Sequence, residues 1–338
     1  MIKKKIKLIF FTIIFIYQTS VFSKTTEEIN FNPKYLSGYL SALISKNNQN
    51  SRDSVKYFNS SKALINNHEV FLNKYAITLV NNGEVNKSIN VIKQNRYKSN
   101  SDFFEAKLLL LIDNFKKGKF DQNIKLLYEL EAYKENDNYK YIIYEVLKSY
   151  NDLFLLKKPS LNNDKFGQLS LINQAFQYCY LNKPETGSVF MNIINSNQGD
   201  YSRYLFFHFN NLIKNKDFES VQQISKTINI LESSLLIQQS KRWLDESNYS
   251  KFGQIFSCYN EEDILAEFFF LIANFLSADE NFTELCFYSN ISNYLNPKFY
   301  LNSTYLISNY TQNKKYEKTK KILKNFSKED EIYHWYKL

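Results

Sequence analysis

The sequence predicts an all-α fold made of consecutive helix–turn–helix units. Three observations carry this. Glycine and proline together number 11 of 338 residues, about 3% against the roughly 12% of average usage, so residues for tight β-hairpins are scarce. No run shows the sustained apolar–polar alternation of half-buried strands. A similar stretch, a turn followed by an aromatic or apolar residue and a helical pattern, recurs along most of the chain.

The recurrence is periodic. Val85, Phe120, Phe218, Tyr249, Phe282 and Tyr316 are its clear anchors. Leu153 and Glu185 fill the long gap as weaker ones, and Ser51 extends the series backwards. The successive spacings are 34, 35, 33, 32, 33, 31, 33 and 34, with a mean of about 33. Such a period is the mark of a helical repeat. Each anchor is expected to open a second helix. Three residues on lies a packing position: Ser54, Ser88, Asn123, Ser188, Val221, Phe252, Leu285 and Thr319. Four residues further lies a mostly large one, such as Phe58, Ile92, Leu127, Phe256 and Leu323. Spacings of three and four put these on one helix face.

The first helices precede the anchors. They are expected within 69–80, 101–115, 204–213, 233–244, 264–276 and 299–310, where apolar residues recur at three and four. The turns "NNG" and "KKG" place Gly83 and Gly118 as helix C-terminal caps, because glycine tolerates positive φ. Gly118→Val is therefore expected to destabilise by about 1 kcal/mol or more.

These features resemble the tetratricopeptide repeat (TPR) family. "YLSGYL" (35–40), with Gly38, is similar to the Leu-Gly pair of a first TPR helix. "NNGEVNKSI" and "KKGKFDQNI" are similar to its inter-helix turn, and "SNYLNPKFY", with Pro297, to the end of one repeat and the start of the next. The resemblance spans about residues 30–338 as nine candidate units and implies a TPR-like α-solenoid, a right-handed superhelix. The usual alanine three residues after the anchor is missing, and the units within 139–199 are degenerate, with a bend expected near Pro159.

Residues 1–23 stand apart. A basic start with Lys3, Lys4, Lys5 and Lys7 precedes a ten-residue apolar core, Leu8 to Tyr17. Val21 and Ser23 then suit a cleavage after Ser23, the layout of a secretory signal peptide. The core is short for a membrane span, so a periplasmic or secreted product without stable membrane insertion is expected. An uncleaved anchor would instead make a membrane-held assembly factor. Loss of the four leader lysines lowers the formal charge from +9 to +5, too mild to call for nucleic acid. At the other end, "EIYHWYKL" falls where a new first helix would begin. Residues 327–338 read as a docked cap or as the start of a further repeat in a longer natural chain, the latter being favoured.

No constellation suggests chemistry, and no cofactor or metal is expected. His68, His208 and His334 are isolated, and His208 in "FFHFN" reads as a packed residue. Cys179, Cys258 and Cys286 read as buried apolar thiols, with a Cys258–Cys286 bridge as the conceivable exception. "ESNY" (246–249) resembles the Glu-Ser of lytic transglycosylases, but the rest of their signature is missing and Glu246 reads as an exposed turn acid.

The TPR resemblance implies a non-catalytic protein-binding scaffold whose first helices line a concave face. The polar residues expected on that face are Asn73, Asn81, Lys116, Arg203, Asn210, Lys214, Lys241 and Asn274. The alternative is a helical arm of a cell-wall enzyme, lytic transglycosylase-like, whose catalytic domain is absent from this chain.

Overall fold

The computed structural model describes residues 32–96, 99–133, 138–160, 166–196, 202–277, 282–312, 314–326 and 328. The leader-like stretch 1–23 and the closing residues 329–338 lie outside the described residues, so the cleavage site and the terminal cap do too. Among the described residues there are seventeen α-helices and no strand.

The helices follow the predicted pairing. The first three pairs are α1 (Pro33–Asn47) with α2 (Ser51–Ser60), α3 (Phe71–Asn81) with α4 (Val85–Asn95), and α5 (Phe104–Lys116) with α6 (Asn123–Glu131). A single long helix follows, α7 (Asn138–Leu156). Then come α8 (Gln168–Tyr180) with α9 (Thr186–Ile194), α10 (Arg203–Lys214) with α11 (Phe218–Lys226), and α12 (Leu235–Asp245) with α13 (Ser250–Ile255). The last pairs are α14 (Glu261–Ser277) with α15 (Phe282–Leu295) and α16 (Thr304–Gln312) with α17 (Tyr316–Leu323).

The exception is the fourth unit. Leu153 was expected to open a second helix, but it is fully buried inside α7. The anchor series there reflects one long helix whose apolar residues fall on the repeat spacing by position alone. Helix α7 ends at Leu156, just before Pro159, whose ring disfavours helical geometry in the preceding residue.

One turn geometry closes seven of the pairs. In each, a residue at positive φ follows the first helix: Gln49, Gly83, Gly118, Asn182, Lys216, Ser247 and Lys314. The next residue's N–H then donates to the carbonyl five residues earlier. Examples are Glu84 to Leu79 at 2.9 Å, Asp217 to Leu212 at 2.9 Å and Lys315 to Tyr310 at 2.7 Å. This is the Schellman closure, which satisfies carbonyls that the helix end leaves orphaned. Glycine occupies only two of the seven positions. A non-glycine residue in the left-handed region costs about 1–2 kcal/mol, which the closure and the packing of the pair offset.

A prediction follows at two geometrically equivalent sites. At Gly118 (φ +64) an added Cβ would meet no atom within 4 Å, so Gly118→Val isolates backbone strain and should destabilise by about 1–2 kcal/mol. Ser247→Gly should stabilise by about 0.5 kcal/mol. Urea unfolding of both variants checks the opposite signs, and two neutral results would refute the turn.

Packing positions behave as the spacing implies. Ser54, Ser88, Asn123, Val221, Phe252, Leu285 and Thr319 are all buried. Ser188 is exposed and the buried neighbour is Val189, a one-residue shift within α9. Ser54 Oγ donates to the Ala42 carbonyl at 2.8 Å, and Ser88 Oγ repeats the contact on Ala76 at 2.9 Å. A small hydroxyl thus brings each pair of helices together and pins it, at two sites 34 residues apart. Gly38 serves the same close approach, since a Cβ there would overlap Ser61 Oγ.

A later hairpin covers several of the earlier helices. The middle of helix α14 is enclosed on every side: each residue from Ile264 to Phe270 is buried. Such a helix needs cover on all sides. It finds this against the first helices of several units. The α14–α15 hairpin packs on α3 and α5, on α7 through Tyr150 and Phe268, and on α10 through Arg203, which meets Glu267 and Phe270. The main core therefore runs almost the length of the chain, from Ala76 to Phe326.

Candidate functional site

Four of the eight residues expected on the inner face converge on one segment, 256–267, between α13 and the middle of α14. Lys116, at the end of α5, pairs with Glu262 and lies 4.9 Å from the Tyr294 ring centre. Asn210 donates to the Phe256 carbonyl at 2.8 Å. Lys214 lies 5.0 Å from the Tyr259 ring centre. Arg203, at the start of α10, holds Glu267 through two bonds, Nε to Oε1 at 2.8 Å and Nη2 to Oε2 at 2.7 Å.

The other four are dispersed. Asn73 donates to Glu105 across α3 and α5 at 3.3 Å. Lys241 pairs with Asp245 on its own helix. Asn274 is exposed near the end of α14, where its carbonyl accepts from Ser277. Asn81, the last residue of α3, faces a pocket described below. Of the eight residues expected on a concave face, Lys116, Arg203, Asn210 and Lys214 thus meet the chain's own segment 256–267.

The Arg203–Glu267 pair is the best-built polar feature. Glu267 is fully buried and Arg203 largely so. The guanidinium also donates to Asn302 Oδ1 at 2.5 Å and lies 4.0 Å from the centre of the Phe270 ring. Asn302 in turn donates to Ser292 Oγ at 3.0 Å, and Ser292 donates to the Ala266 carbonyl at 2.7 Å. A carboxylate in an apolar interior is tolerated only when paired and hydrogen-bonded, and this network supplies both. The single acid inside "ILAEFFFLIANFL" was a legible signal that some cation must reach it.

A disulfide joins Cys179 of α8 to Cys258, with Cα atoms 5.8 Å apart. Cys286 is a free buried thiol, so the conceivable Cys258–Cys286 bridge is corrected. Beside the disulfide, the Tyr180 hydroxyl donates to Glu261 at 2.5 Å and Tyr259 donates to Asn182 at 2.8 Å. The start of α14 and the residues before it are therefore tied to the end of α8 and the turn after it by one covalent bond and two hydrogen bonds.

His208 is buried in α10, as its apolar surroundings implied. Burial pushes its pKa down to about 4, with Asp217 working weakly the other way. Asp263, in the first turn of α14, is pushed up to about 6 by burial, against a 2.8 Å bond from the Ser257 N–H. The two act oppositely on stability. The depressed histidine contributes stability above its ordinary pKa, which is lost as pH falls from about 6.5 to about 4. The raised carboxyl recovers stability as pH falls through about 6. His208→Leu should remove the first effect alone. Between pH 7 and pH 4 the variant should gain about 3 kcal/mol relative to the parent, measured by urea unfolding at both pH values. An unchanged difference would refute the buried neutral imidazole.

At the seam between the chain's two ends lies an open-mouthed pocket. Lys46, Gln49, Ser51, Thr78 and Asn81 form one wall, and Phe282, Thr283, Cys286, Tyr310 and Lys318 the other. Lys315 bonds the α1–α2 turn through Gln49, and Lys318 donates to Ser51 Oγ at 2.7 Å. Sequence reasoning missed Lys46 and Lys318, because their meeting depends on closure over more than 260 residues.

Among the described residues no group of three His, Cys, Asp or Glu side chains could hold a metal ion, and no helix is long and apolar enough to cross a membrane. No family model, no curated protein and no solved structure matches the chain.

Proposed function

We propose that the chain is a non-catalytic protein-interaction scaffold of the bacterial cell envelope, built from TPR-like hairpins. The observation that carries this reading is the turn repeated in seven hairpins, because it supports a repeat array, an architecture that presents extended binding surfaces. The leader-like start and the Cys179–Cys258 disulfide agree with an exported protein, since disulfides persist in oxidising compartments. With the hairpin α14–α15 filling much of the inner face, the partner segment engages the rim at the seam. Asn81 is placed there, and its buried side-chain oxygen has no hydrogen-bond partner.

The test is site-specific photo-crosslinking in the intact envelope. A crosslinker replacing Ile44, exposed on α1, should capture one defined protein, whereas one replacing Leu231, far along the chain and also exposed, should not. Equal capture at both positions, or none from a folded exported chain, would overturn the reading.

A further inference from the structure

We propose that the seam pocket is a binding site for a small oxyanion of the phosphate class. The inference rests on the pocket's own chemistry; it shares Asn81 with the scaffold reading but is tested on the isolated chain, without any protein partner. Lys46, in the last turn of α1, and Lys318, in the first turn of α17, line the pocket from opposite ends of the chain. Lys315 stands beside Lys318, and Lys74 is close enough to Lys46 for the two charges to repel. Among the described residues, no carboxylate pairs with any of these four lysines within 4.0 Å. Here like charges are gathered in a partly enclosed place with no counter-charge, an arrangement that a bound anion would relieve.

Repulsion within each pair, Lys46 with Lys74 and Lys318 with Lys315, adds to burial in holding the ammonium groups below their usual range. Burial, then the neighbouring Lys74, lowers the pKa of Lys46. Burial, then Lys315, brings Lys318 down to about 8. With a pKa of about 8, Lys318 remains mainly an ammonium ion at neutral pH, and an anion in the pocket would supply the counter-charge that the fold leaves open.

The hydrogen-bonding inventory narrows the class. Lys318 spends one of its three N–H donors on Ser51 and keeps the others for a ligand. Across the pocket, Asn81 Oδ1 is buried without a partner and needs a donor. An oxyanion that still carries a proton at neutral pH satisfies both demands: its charged oxygens accept from the lysines and its hydroxyl donates to Asn81. Inorganic phosphate does this. Sulfate, fully deprotonated, supplies the charge without the donor, and chloride supplies neither geometry nor donor.

The experiment is isothermal titration of the mature chain with inorganic phosphate, sulfate and chloride at matched ionic strength, with glycerol phosphate as the monoester arm. Saturable phosphate binding is expected, with sulfate several-fold weaker. Lys318→Met and Lys46→Met should each weaken phosphate about tenfold. Asn81→Ala should erase the preference of phosphate over sulfate. If glycerol phosphate binds as well as phosphate, the natural ligand is a phosphate monoester; if it is excluded, the free ion. No saturable phosphate binding, or affinity unchanged in both lysine variants, would overturn the proposal. Circular dichroism confirms that each variant is folded, and the Lys46 variant, on a helix that closes no buried bond through that side chain, keeps the test decisive should Lys318→Met fail to fold.

Discussion

Glu267→Ala is expected to destabilise the protein by about 3–5 kcal/mol, the cost of stranding a buried cation. The alanine would leave the Arg203 guanidinium among Phe207, Phe270 and Phe299 without its carboxylate. Paired substitution separates the value of the pair from the cost of breaking it. Arg203→Met with Glu267→Leu removes both charges and should recover most of the loss, since a well-packed apolar replacement of a buried pair is often neutral. Glu267→Gln should fall between, keeping one acceptor for the guanidinium. Urea unfolding of the three variants gives the energies. A double variant as damaged as the single alanine would show that the wider network through Asn302 and Ser292, rather than the stranded charge, sets the cost.

Loss of the Cys179–Cys258 bond is the second large effect. It closes a loop with a sequence separation of 79, and the chain-entropy estimate for such a loop is about 4 kcal/mol. Cys179→Ala with Cys258→Ala should lower stability by about that amount, and a reducing agent should lower the parent but not the double variant. The damage should be local first. Amide hydrogens in 256–277 should exchange faster, while those of α3 and α4 change less, because the bond anchors the segment that leads into α14. A parent indifferent to reductant would show that the two thiols are not joined in solution.

Much of the helical plan was legible in the sequence, for physical reasons that differ by element. Val85, Phe218, Phe282 and Tyr316 begin helices where the spacing put them, because a repeated packing position imposes a repeated period. The turns were legible only at Gly83 and Gly118. Lys216, Ser247 and Lys314 adopt the same positive φ, and nothing in their side chains announces it; the closure is set by backbone hydrogen bonds and by the packing of the flanking helices. Leu153 misled for the opposite reason, since a long helix also places apolar residues at repeat spacings. The candidate site was the least legible part. Local periodicity put Lys116 and Arg203 on first helices, but their partners Glu262 and Glu267 lie 146 and 64 residues away. Local patterns cannot report which distant segment fills a groove. The one usable hint was compositional: an acid alone in an apolar run requires a distant cation.

The fold-back of α14–α15 changes what kind of object this chain of hairpins is. An open array, in which each unit touches only its neighbours, gains or loses a unit with modest consequences and can unravel from either end. Here Lys315 reaches Gln49 and Lys318 reaches Ser51, so the last hairpin reads the position of the first. The number of units between them is fixed by closure. Deleting any hairpin between α5 and α13 would move the plug out of register with the helices it covers, however well the remaining units are formed. Contacts of such long sequence separation also slow folding and make it cooperative. The chain is modular in its sequence and indivisible in its stability.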